Sequence, residues 1–245
     1  MYKPHPPLCP PVAVNSTRLQ EVRDVIASAH KDCTPSEKLQ FYNQWANQYE
    51  EDVTVLEYKA PRLAAEALAS VCTVNRDSRL VLDVACGTGL VAEQLQHRGF
   101  LLFHGVDGST GMLEVAKKKQ LYQELRQCML GKDSLPFGSE KYDVVMIVGA
   151  LSDGQVPVSV LSELFRVTKP GGLMCLTTRS NISNLQYKAE LEEALTDLQN
   201  RGLWEQILVQ EVEQWEIAVS EKEVTQKSDY IPGVIYIYRK SGAYE

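Results

Sequence analysis

The sequence predicts an α/β fold: a seven-stranded, mainly parallel, doubly wound sheet with an antiparallel edge hairpin and an N-terminal helical extension. Three observations predict it. From Leu80 onward, apolar runs of strand length alternate with amphipathic runs of helix length. A glycine-rich turn, Gly87 to Gly89, follows the first apolar run. The region before Leu80 shows helical periodicity alone.

The N-terminal region divides into a tail and a helical cap. Residues 1–16 contain five prolines, which interrupt regular structure, so we expect a disordered tail. Residues 17–75 form the predicted cap, or lid, in three helical segments: TRLQEVRDVIASAH, TPSEKLQFYNQWANQYEED and APRLAAEALASV. The second segment begins with Thr34, Pro35 and Glu37, which have the spacing of a capping box.

The predicted sheet domain covers residues 76–245 and, with the cap, makes one globular unit, 17–245. Its strands are, in order, RLVLDVA, FLLFHGVDG, LRQCMLGK, KYDVVMIVGAL, PGGLMCLTTR, part of WEQILVQEVEQWEIAV, and GVIYIYR. Its helices are GLVAEQLQHRG, STGMLEVAKKK, PVSVLSELFRVTK and LQYKAELEEALTDLQNRG. The repeated β-α units predict a mainly parallel sheet with right-handed crossover connections. The last two strands have no helix between them, which predicts the antiparallel hairpin.

Composition and charge exclude several classes of function. The chain has 245 residues and a formal net charge of −7, which argues against general binding to nucleic-acid backbones. Six cysteines lack C-x-x-C spacing and four histidines lack ligand spacing, so we predict reduced thiols and no metal site. No apolar run reaches the length of a membrane span. We expect a soluble monomer in the cytoplasm, with access to the nucleus left open.

The turn after the first strand leaves the choice of ligand open at first. GTGLVA approximates the dinucleotide fingerprint, and Asp107 lies 20 residues after Gly87, where a carboxylate can accept from ribose hydroxyls. A structural turn without a ligand fits the same letters. Asp83 lies inside the buried strand, where a charge is costly unless it is paired. Because the turn also lacks a basic residue for phosphate, these features favour a cationic ligand over a pyrophosphate.

Five blocks of sequence resemble, in order, the motifs of class I S-adenosylmethionine-dependent methyltransferases. VLDVACGTG resembles their first motif and GVDGSTGMLEVAKKK their D-x-S-x-x-M-L-x-x-A segment. GKDSLPF, KYDVVMIVGAL and SELFRVTKPGGLMCLTT resemble the next three blocks. The resemblance spans Gln40 to Arg179. It implies a Rossmann-like fold, S-adenosyl-L-methionine as cofactor and S-adenosyl-L-homocysteine as product.

The resemblance also implies a set of cofactor-binding residues. They are Trp45, Tyr49, Arg62, Asp83, Ala85, Gly87, Thr88, Gly89, Asp107, Gly108, Met112, Lys132, Asp133, Ser134 and Val148. The glycines of the turn would let the backbone approach the methionine part of the cofactor. Asp107 would hold the ribose diol, and Asp83 would face the ammonium or sulfonium end, directly or through water. Gly108 and Met112 would line one adenine face, with residues 132–134 near its edge.

The aromatic residues before the first strand have two interpretations. Tyr42, Trp45 and Tyr49 recur at helical spacing on one face. They form either a stripe that packs the helix onto the sheet or part of a lid that covers the cofactor and shapes the acceptor pocket. Arg62 has two interpretations as well, since it would either pair with the cofactor carboxylate or lie on the surface.

The remaining candidate site residues lie at or just after the end of the fourth predicted strand. Val148 would offer its backbone carbonyl to the cofactor's amino group. Ser152 and Asp153 stand where many small-molecule relatives carry histidine. Together with Tyr42 they are candidate acceptor contacts, and the alternative for Ser152 and Asp153 is a loop turn.

The predicted activity is methyl transfer to a small molecule by in-line displacement, with the acceptor aligned beneath the N-terminal lid. An activated methyl group needs alignment and exclusion of water more than acid–base help, so no catalytic residue is assigned. The N-P-P-Y type signature of enzymes that methylate amino groups of nucleic acids is absent from the sequence. Two alternatives remain: a protein acceptor, and a cofactor-binding regulator or scaffold without turnover.

Overall fold

A computed structural model of the chain describes residues 16–29, 34–218 and 229–242. Its strands are β1 Leu80–Val84, β2 Leu102–Asp107, β3 Glu124–Gln127, β4 Tyr142–Leu151, β5 Thr168–Arg179, β6 Trp204–Ile217 and β7 Tyr230–Lys240. They form one seven-stranded sheet in the order β3-β2-β1-β4-β5-β7-β6. The predicted α/β sheet with an antiparallel edge is thereby confirmed.

Helices precede the sheet and connect its strands. They are α1 Ser16–Ala29, α2 Pro35–Trp45, α3 Tyr49–Val55, α4 Ala60–Val71, α5 Leu90–Gln96, α6 Thr110–Lys118, α7 Leu161–Val167 and α8 Leu185–Asn200. The capping box at the start of α2 is present: the Thr34 side chain accepts from the Glu37 backbone, and the Glu37 carboxylate accepts in return. The predicted disordered tail lies outside the described residues, apart from Ser16, which begins α1.

The register aligns the carboxyl ends of the central strands. β1 pairs in parallel with β2 on one side and β4 on the other, so Asp83 lies between Gly105 and Met146. β7 is antiparallel to both β5 and β6. In an open parallel sheet, ligands bind beyond the carboxyl ends of the strands, where the strand order reverses. Here that point lies between β1 and β4.

Both faces of the sheet are covered. Leu82 and Val145 point into a core with α7 and α8, whereas Val81 and Val144 point into a core with α4 and α5. Such double coverage explains why β1 and β4 are apolar nearly throughout. Each fully buried side chain of this size stabilises the fold by roughly 1.5–3 kcal/mol.

The N-terminal helices make a third core of their own. It consists of Val22, Ile26, Trp45, Val53 and Leu56, all buried. Four of the five, all except Val22, also face a chamber lined by the ends of the sheet strands. Helices α1 to α3 therefore lie over the edge of the sheet where the site is expected.

The predicted helix over residues 34–52 is two helices in the structure. The chain turns at residues 46–48, between α2 and α3, and the N–H of Gln48 donates to the Trp45 carbonyl. Across this break the Trp45 indole N–H donates to Oδ2 of Asp52 at 2.7 Å, and Arg18 from α1 donates to Oδ1 at 2.6 Å. A buried carboxylate is satisfied by these two donors, which favours two short helices over one continuous helix.

Within the described ranges 16–29, 34–218 and 229–242, none of the helices has the length and apolar character that crossing a bilayer requires. The same residues contain no group of three or more His, Cys, Asp or Glu side chains placed to hold a metal ion.

Candidate functional site

The turn between β1 and α5 has an unusual backbone. Ala85, Gly87 and Gly89 all have positive φ angles, +55°, +54° and +93°. Glycine adopts this conformation readily, whereas an alanine there costs roughly 1–2 kcal/mol. Three left-handed residues in five fold the chain back sharply at the end of β1. The turn thus brings backbone groups of Ala85 and Gly87 to the wall of a large cavity.

Asp107 links this turn to the end of β2. Its Oδ2 accepts from the Gly87 N–H at 2.8 Å and its Oδ1 accepts from the Ser109 N–H at 2.8 Å. Burial raises the pKa of Asp107, while these N–H groups oppose the rise by stabilising the carboxylate. Each carboxylate oxygen has a second lone pair, so Asp107 can also accept from a ligand in the cavity that it lines.

The cavity beside Asp107 measures about 380 Å³. Nine of the predicted residues line it: Tyr42, Tyr49, Ala85, Gly87, Asp107, Gly108, Met112, Lys132 and Val148. The sequence did not predict the others: Pro35, Lys38, Leu39, Ser109, Met129, Leu130, Gly131, Gly149, Ala150, Gly154, Gln155, Val156 and Pro157. Helix α2, the β1 turn and the loops after β3 and β4 therefore surround one space.

A nucleoside linked to an amino acid fits this cavity in size and chemistry. At roughly 10–15 Å³ for each water-sized group, the space takes roughly 25 or more non-hydrogen atoms. Apolar side chains such as Met112, Met129 and Leu130 suit a base. The Asp107 carboxylate suits a ribose diol, and at Gly87 a Cβ would meet nothing within 4 Å, so the backbone faces open space.

A second, smaller chamber of about 80 Å³ adjoins the large cavity. Tyr42, Tyr49, Gly149 and Gln155 line both spaces and form the shared wall. Trp45 and Ser152, also predicted from the sequence, line the small chamber alone. Its remaining walls come from α1, from α3 and the segment after it, and from β4, β5 and β6. The residues are Ile26, Val53, Leu56, Tyr58, Leu151, Thr177, Thr178, Arg179, Trp215 and Glu216.

Comparison with known proteins agrees with this geometry. A family model described as "Methyltransferase domain" matches residues 82–176. Human Methyltransferase-like protein 27 is 54% identical over 187 residues, which cover 76% of each chain. The chain belongs to the methyltransferase family. It is an S-adenosylmethionine-dependent methyltransferase, and the family implies binding of that cofactor.

Other methyltransferases show weaker similarity. A demethylmenaquinone methyltransferase of Renibacterium salmoninarum is 29% identical over 185 residues, 72% of this chain and 75% of that one. A putative methyltransferase of Haloferax volcanii, solved in complex with the Trm112 methyltransferase activator, superposes with a TM-score of 0.60 at 15% identity. That match covers 83% of this chain and 97% of the other, and it shows that the two share a fold.

The structure of this methyltransferase places Asp83 outside both spaces. Its side chain is 1% exposed, and its Oδ2 accepts from the Tyr122 hydroxyl at 2.7 Å. Burial raises the pKa of Asp83 to about 7, although the Tyr122 hydrogen bond lowers it and Asp107 adds to the rise. The hydrogen-bond partner of this carboxylate in the structure is thus a tyrosine hydroxyl, and pairing of Asp83 with a cationic ligand, directly or through water, stays a prediction.

Six other predicted residues line neither space. Arg62 pairs with Glu66 one turn along α4, at 2.9 Å, and is half exposed. Asp133 is exposed and accepts from the Met129 N–H at 3.1 Å, and Asp153 donates its N–H to Asn184 at 3.0 Å. The other three are Thr88, whose buried hydroxyl has no hydrogen-bond partner among the described residues, Gly89, which caps α5, and the exposed Ser134.

The aromatic stripe packs against the core and also lines the two spaces, and its role as a lid stays a prediction. Trp45 packs in the third core and lines the small chamber, while Tyr42 and Tyr49 line both spaces. Arg179 and Glu216, in contrast, belong to no motif and were missed, as was Tyr58. They lie far apart in the chain, and only strand pairing brings the end of β5 near the end of β6.

Proposed function

We propose that the chain transfers a methyl group from S-adenosylmethionine to a small molecule enclosed beneath its N-terminal helices. One observation supports this most: a small chamber under α1 to α3 shares the wall Tyr42, Tyr49, Gly149 and Gln155 with the large cavity. A cofactor in the large cavity and an acceptor in the chamber would meet at that wall. The chamber's small volume favours a small molecule over a protein acceptor.

The lining of the large cavity supports a proposal for how the cofactor is held. Asp107 would accept from the ribose hydroxyls, and Gly108, Met112 and Lys132 would lie around the adenine. The methionine part would lie against the turn at Ala85 and Gly87, which lines the cavity. When bound, the cofactor supplies a methyl group already activated on a sulfonium. The chain's own residues then have to position the acceptor and exclude water.

Helix α2 closes the large cavity through contacts on both sides. Oδ1 of Asn43 accepts from the Ser109 hydroxyl at 2.7 Å and from the Gly111 N–H at 2.9 Å. On the opposite side, the Lys38 ammonium donates to the Gly154 carbonyl. Because Ser109 also donates to Asp107, the position of α2 is coupled to the carboxylate proposed to hold the ribose. We therefore propose that α2 is a lid.

Tyrosine hydroxyls would orient the acceptor at the shared wall. Burial raises the pKa of Tyr49 and of Tyr58 above the ordinary range for tyrosine, and the Glu216 carboxylate adds to both shifts. Both phenols therefore stay protonated at neutral pH and can donate hydrogen bonds. They are positioning groups in this proposal rather than bases.

The test is methyl transfer from tritium-labelled S-adenosylmethionine into separated small-molecule and protein fractions of a cell extract. We expect label in a small product. Label in polypeptides alone would show that the acceptor is a protein and not a small molecule. No label in either fraction, with cofactor binding intact by calorimetry, would indicate a regulator or scaffold without turnover.

We also propose a cytoplasmic monomer. Cys72, Cys86, Cys128 and Cys175 are free and buried, as suits a reducing compartment. The edge strand β6 exposes Glu205, Glu211 and Glu213, and charges on an edge strand oppose pairing with another chain. Light scattering after size-exclusion chromatography tests the oligomeric state.

A further inference from the structure

Among the described residues that line the small chamber, two carry opposite charges, and the others are aromatic, aliphatic or polar and uncharged. Arg179 ends β5 and Glu216 lies near the end of β6, and their side chains are only 18% and 13% exposed. The Arg179 Nη1 and Glu216 Oε1 atoms lie 3.9 Å apart. Arg179 Nη2 also lies 3.5 Å from the Ser152 hydroxyl. At this separation the two charges attract each other, and both line the chamber.

Aromatic side chains make up much of the remaining wall. Five line the chamber: Tyr42, Trp45, Tyr49, Tyr58 and Trp215. Aromatic faces attract cations through the quadrupole of the ring, by about 0.5–2 kcal/mol for a well-placed group. The chamber thus offers aromatic rings and a carboxylate to a positive group, and a guanidinium to a negative one.

Building on the proposed function, we propose that the methyl acceptor is a compact zwitterion: a small primary or secondary amine that also carries a carboxylate. The amine would lie near Glu216 and the aromatic rings, with its nitrogen toward the shared wall. The carboxylate would pair with Arg179, the basic residue of the chamber wall. Such a ligand matches both charges of the chamber at once.

The volume of the chamber sets the size of this acceptor. At roughly 10–15 Å³ for each water-sized group, a space of about 80 Å³ takes roughly five to eight non-hydrogen atoms. Amino acids with short side chains, and their homologues with one or two extra methylenes, fall in that range. A quinol with a prenyl tail is far larger than the chamber.

The charge of the reacting form also favours an amine. Phenols, thiols and carbon acids react as anions, which the Glu216 carboxylate would repel in this desolvated space. An amine instead enters as an ammonium ion, gives one proton to the Glu216 carboxylate and attacks with its lone pair. The new N–C bond forms as the C–S bond breaks, and that electron pair stays on sulfur. The N-methylammonium product keeps a positive charge, which the aromatic wall accommodates.

Binding without turnover tests the proposal. The full chain is first saturated with S-adenosylhomocysteine and then titrated with glycine, β-alanine and 4-aminobutyrate in a calorimeter. The ligand concentration reaches about 10 mM, so that dissociation constants in the millimolar range can be measured. Propylamine and propionate serve as probes with one charge each. We expect at least one zwitterion to bind about tenfold or more tightly than either, a difference of about 1.4 kcal/mol.

Two substitutions test which residues recognise the charges. Arg179→Met should abolish the preference for the zwitterion over propylamine, and Glu216→Gln should abolish the preference over propionate. The matched control removes the exposed pair Arg239–Glu205, which joins the same sheet edge at 3.4 Å, and it should leave both preferences unchanged. S-adenosylhomocysteine affinity and the thermal midpoint show that each variant is folded.

The outcomes separate this inference from the proposed function. If S-adenosylhomocysteine binds and no zwitterion does, the acceptor class is wrong while the methyltransferase proposal stands. The zwitterion proposal is also wrong if the zwitterions and the singly charged probes bind equally well. It is likewise wrong if Arg179→Met leaves the preference for the zwitterion over propylamine unchanged. If S-adenosylhomocysteine itself does not bind, the proposed function fails. The wild-type titrations answer the question even where a variant does not fold.

Discussion

The hydroxyl of Tyr122 donates a hydrogen bond of 2.7 Å to Oδ2 of the buried Asp83. The same ring lies against two glycines, since a Cβ at Gly89 would lie 3.1 Å from Tyr122 Cε2 and one at Gly105 would lie 2.9 Å from Cε1. A single side chain thus packs against β1, β2 and the turn that lines the cavity. Through Tyr122, Asp83 is therefore connected to the turn that follows β1.

Asp83 should make the stability of the fold depend on pH. Burial raises the pKa of Asp83 from its ordinary value of 3.8 to about 7. The folded chain thus holds this proton more tightly than the unfolded chain. Its contribution is fully present below about pH 4 and is lost as the pH rises through about 7, at up to about 1.4 kcal/mol per pH unit.

Asp83→Asn should remove the loss of folding stability that Asp83 causes as the pH rises. Urea unfolding at about pH 5 and pH 8 should show that the wild type loses stability relative to the variant as the pH rises. Other groups that titrate nearby, Asp107, Cys86 and Tyr122, are present in both proteins, so the difference isolates Asp83. Tyr122→Phe removes the bond that lowers the pKa of Asp83 and should enlarge the loss. Equal pH dependence in wild type and Asp83→Asn would contradict the prediction.

Asp107→Ala should weaken cofactor binding by about 1.5–3 kcal/mol, the range for a hydrogen bond to a charged group. Calorimetry with S-adenosylhomocysteine measures it. Asp143→Ala is the matched control, because Asp143 also accepts from a backbone N–H, that of Leu80 at 2.9 Å, but at the amino end of the sheet strands. The control should lower stability and leave affinity unchanged, and an unchanged affinity in Asp107→Ala would exclude the ribose assignment.

Asn43→Ala should release α2 from the start of α6. The side chain accepts from Ser109 and Gly111, and α2 is short enough to depend on such contacts. Hydrogen exchange over residues 41–51 should slow in the wild type on adding S-adenosylhomocysteine, and this protection should be much reduced in the variant. The exposed neighbour Gln44→Ala is the control. If the wild type shows the same exchange with and without the ligand, α2 is core rather than lid.

Gly149→Ala should disturb the shared wall. Gly149 has a φ of +76°, and a Cβ there would overlap the Tyr58 hydroxyl. The substitution should lower the thermal midpoint and displace Tyr58 from the chamber. Combining it with Tyr58→Phe removes the overlapping oxygen and should recover part of the loss, measured as a double-mutant cycle. Strictly additive effects would show that the two residues are not in contact.

Local sequence patterns were sufficient to predict most of the helices and strands. α4 and α6 lie where the sequence predicts helices, with Pro61 in the first turn of α4 and Ser109 as the cap of α6. Gly87 and Asp107 were identified because a turn and an acid at that spacing are joined by adjacent parallel strands. The break after Trp45 was not predictable, since its cause is the long-range hydrogen bonding of Asp52 with Arg18.

The sequence by itself determined the fold class, the glycine turn and the family, because these depend on periodicity and on residues close together in the chain. Tertiary structure alone decided the partners of individual charges. Asp83 is paired with a tyrosine 39 residues away. The pair Arg179 and Glu216 meets only because β7 pairs with both β5 and β6. Side-chain contacts across a sheet depend on register, which no local pattern encodes.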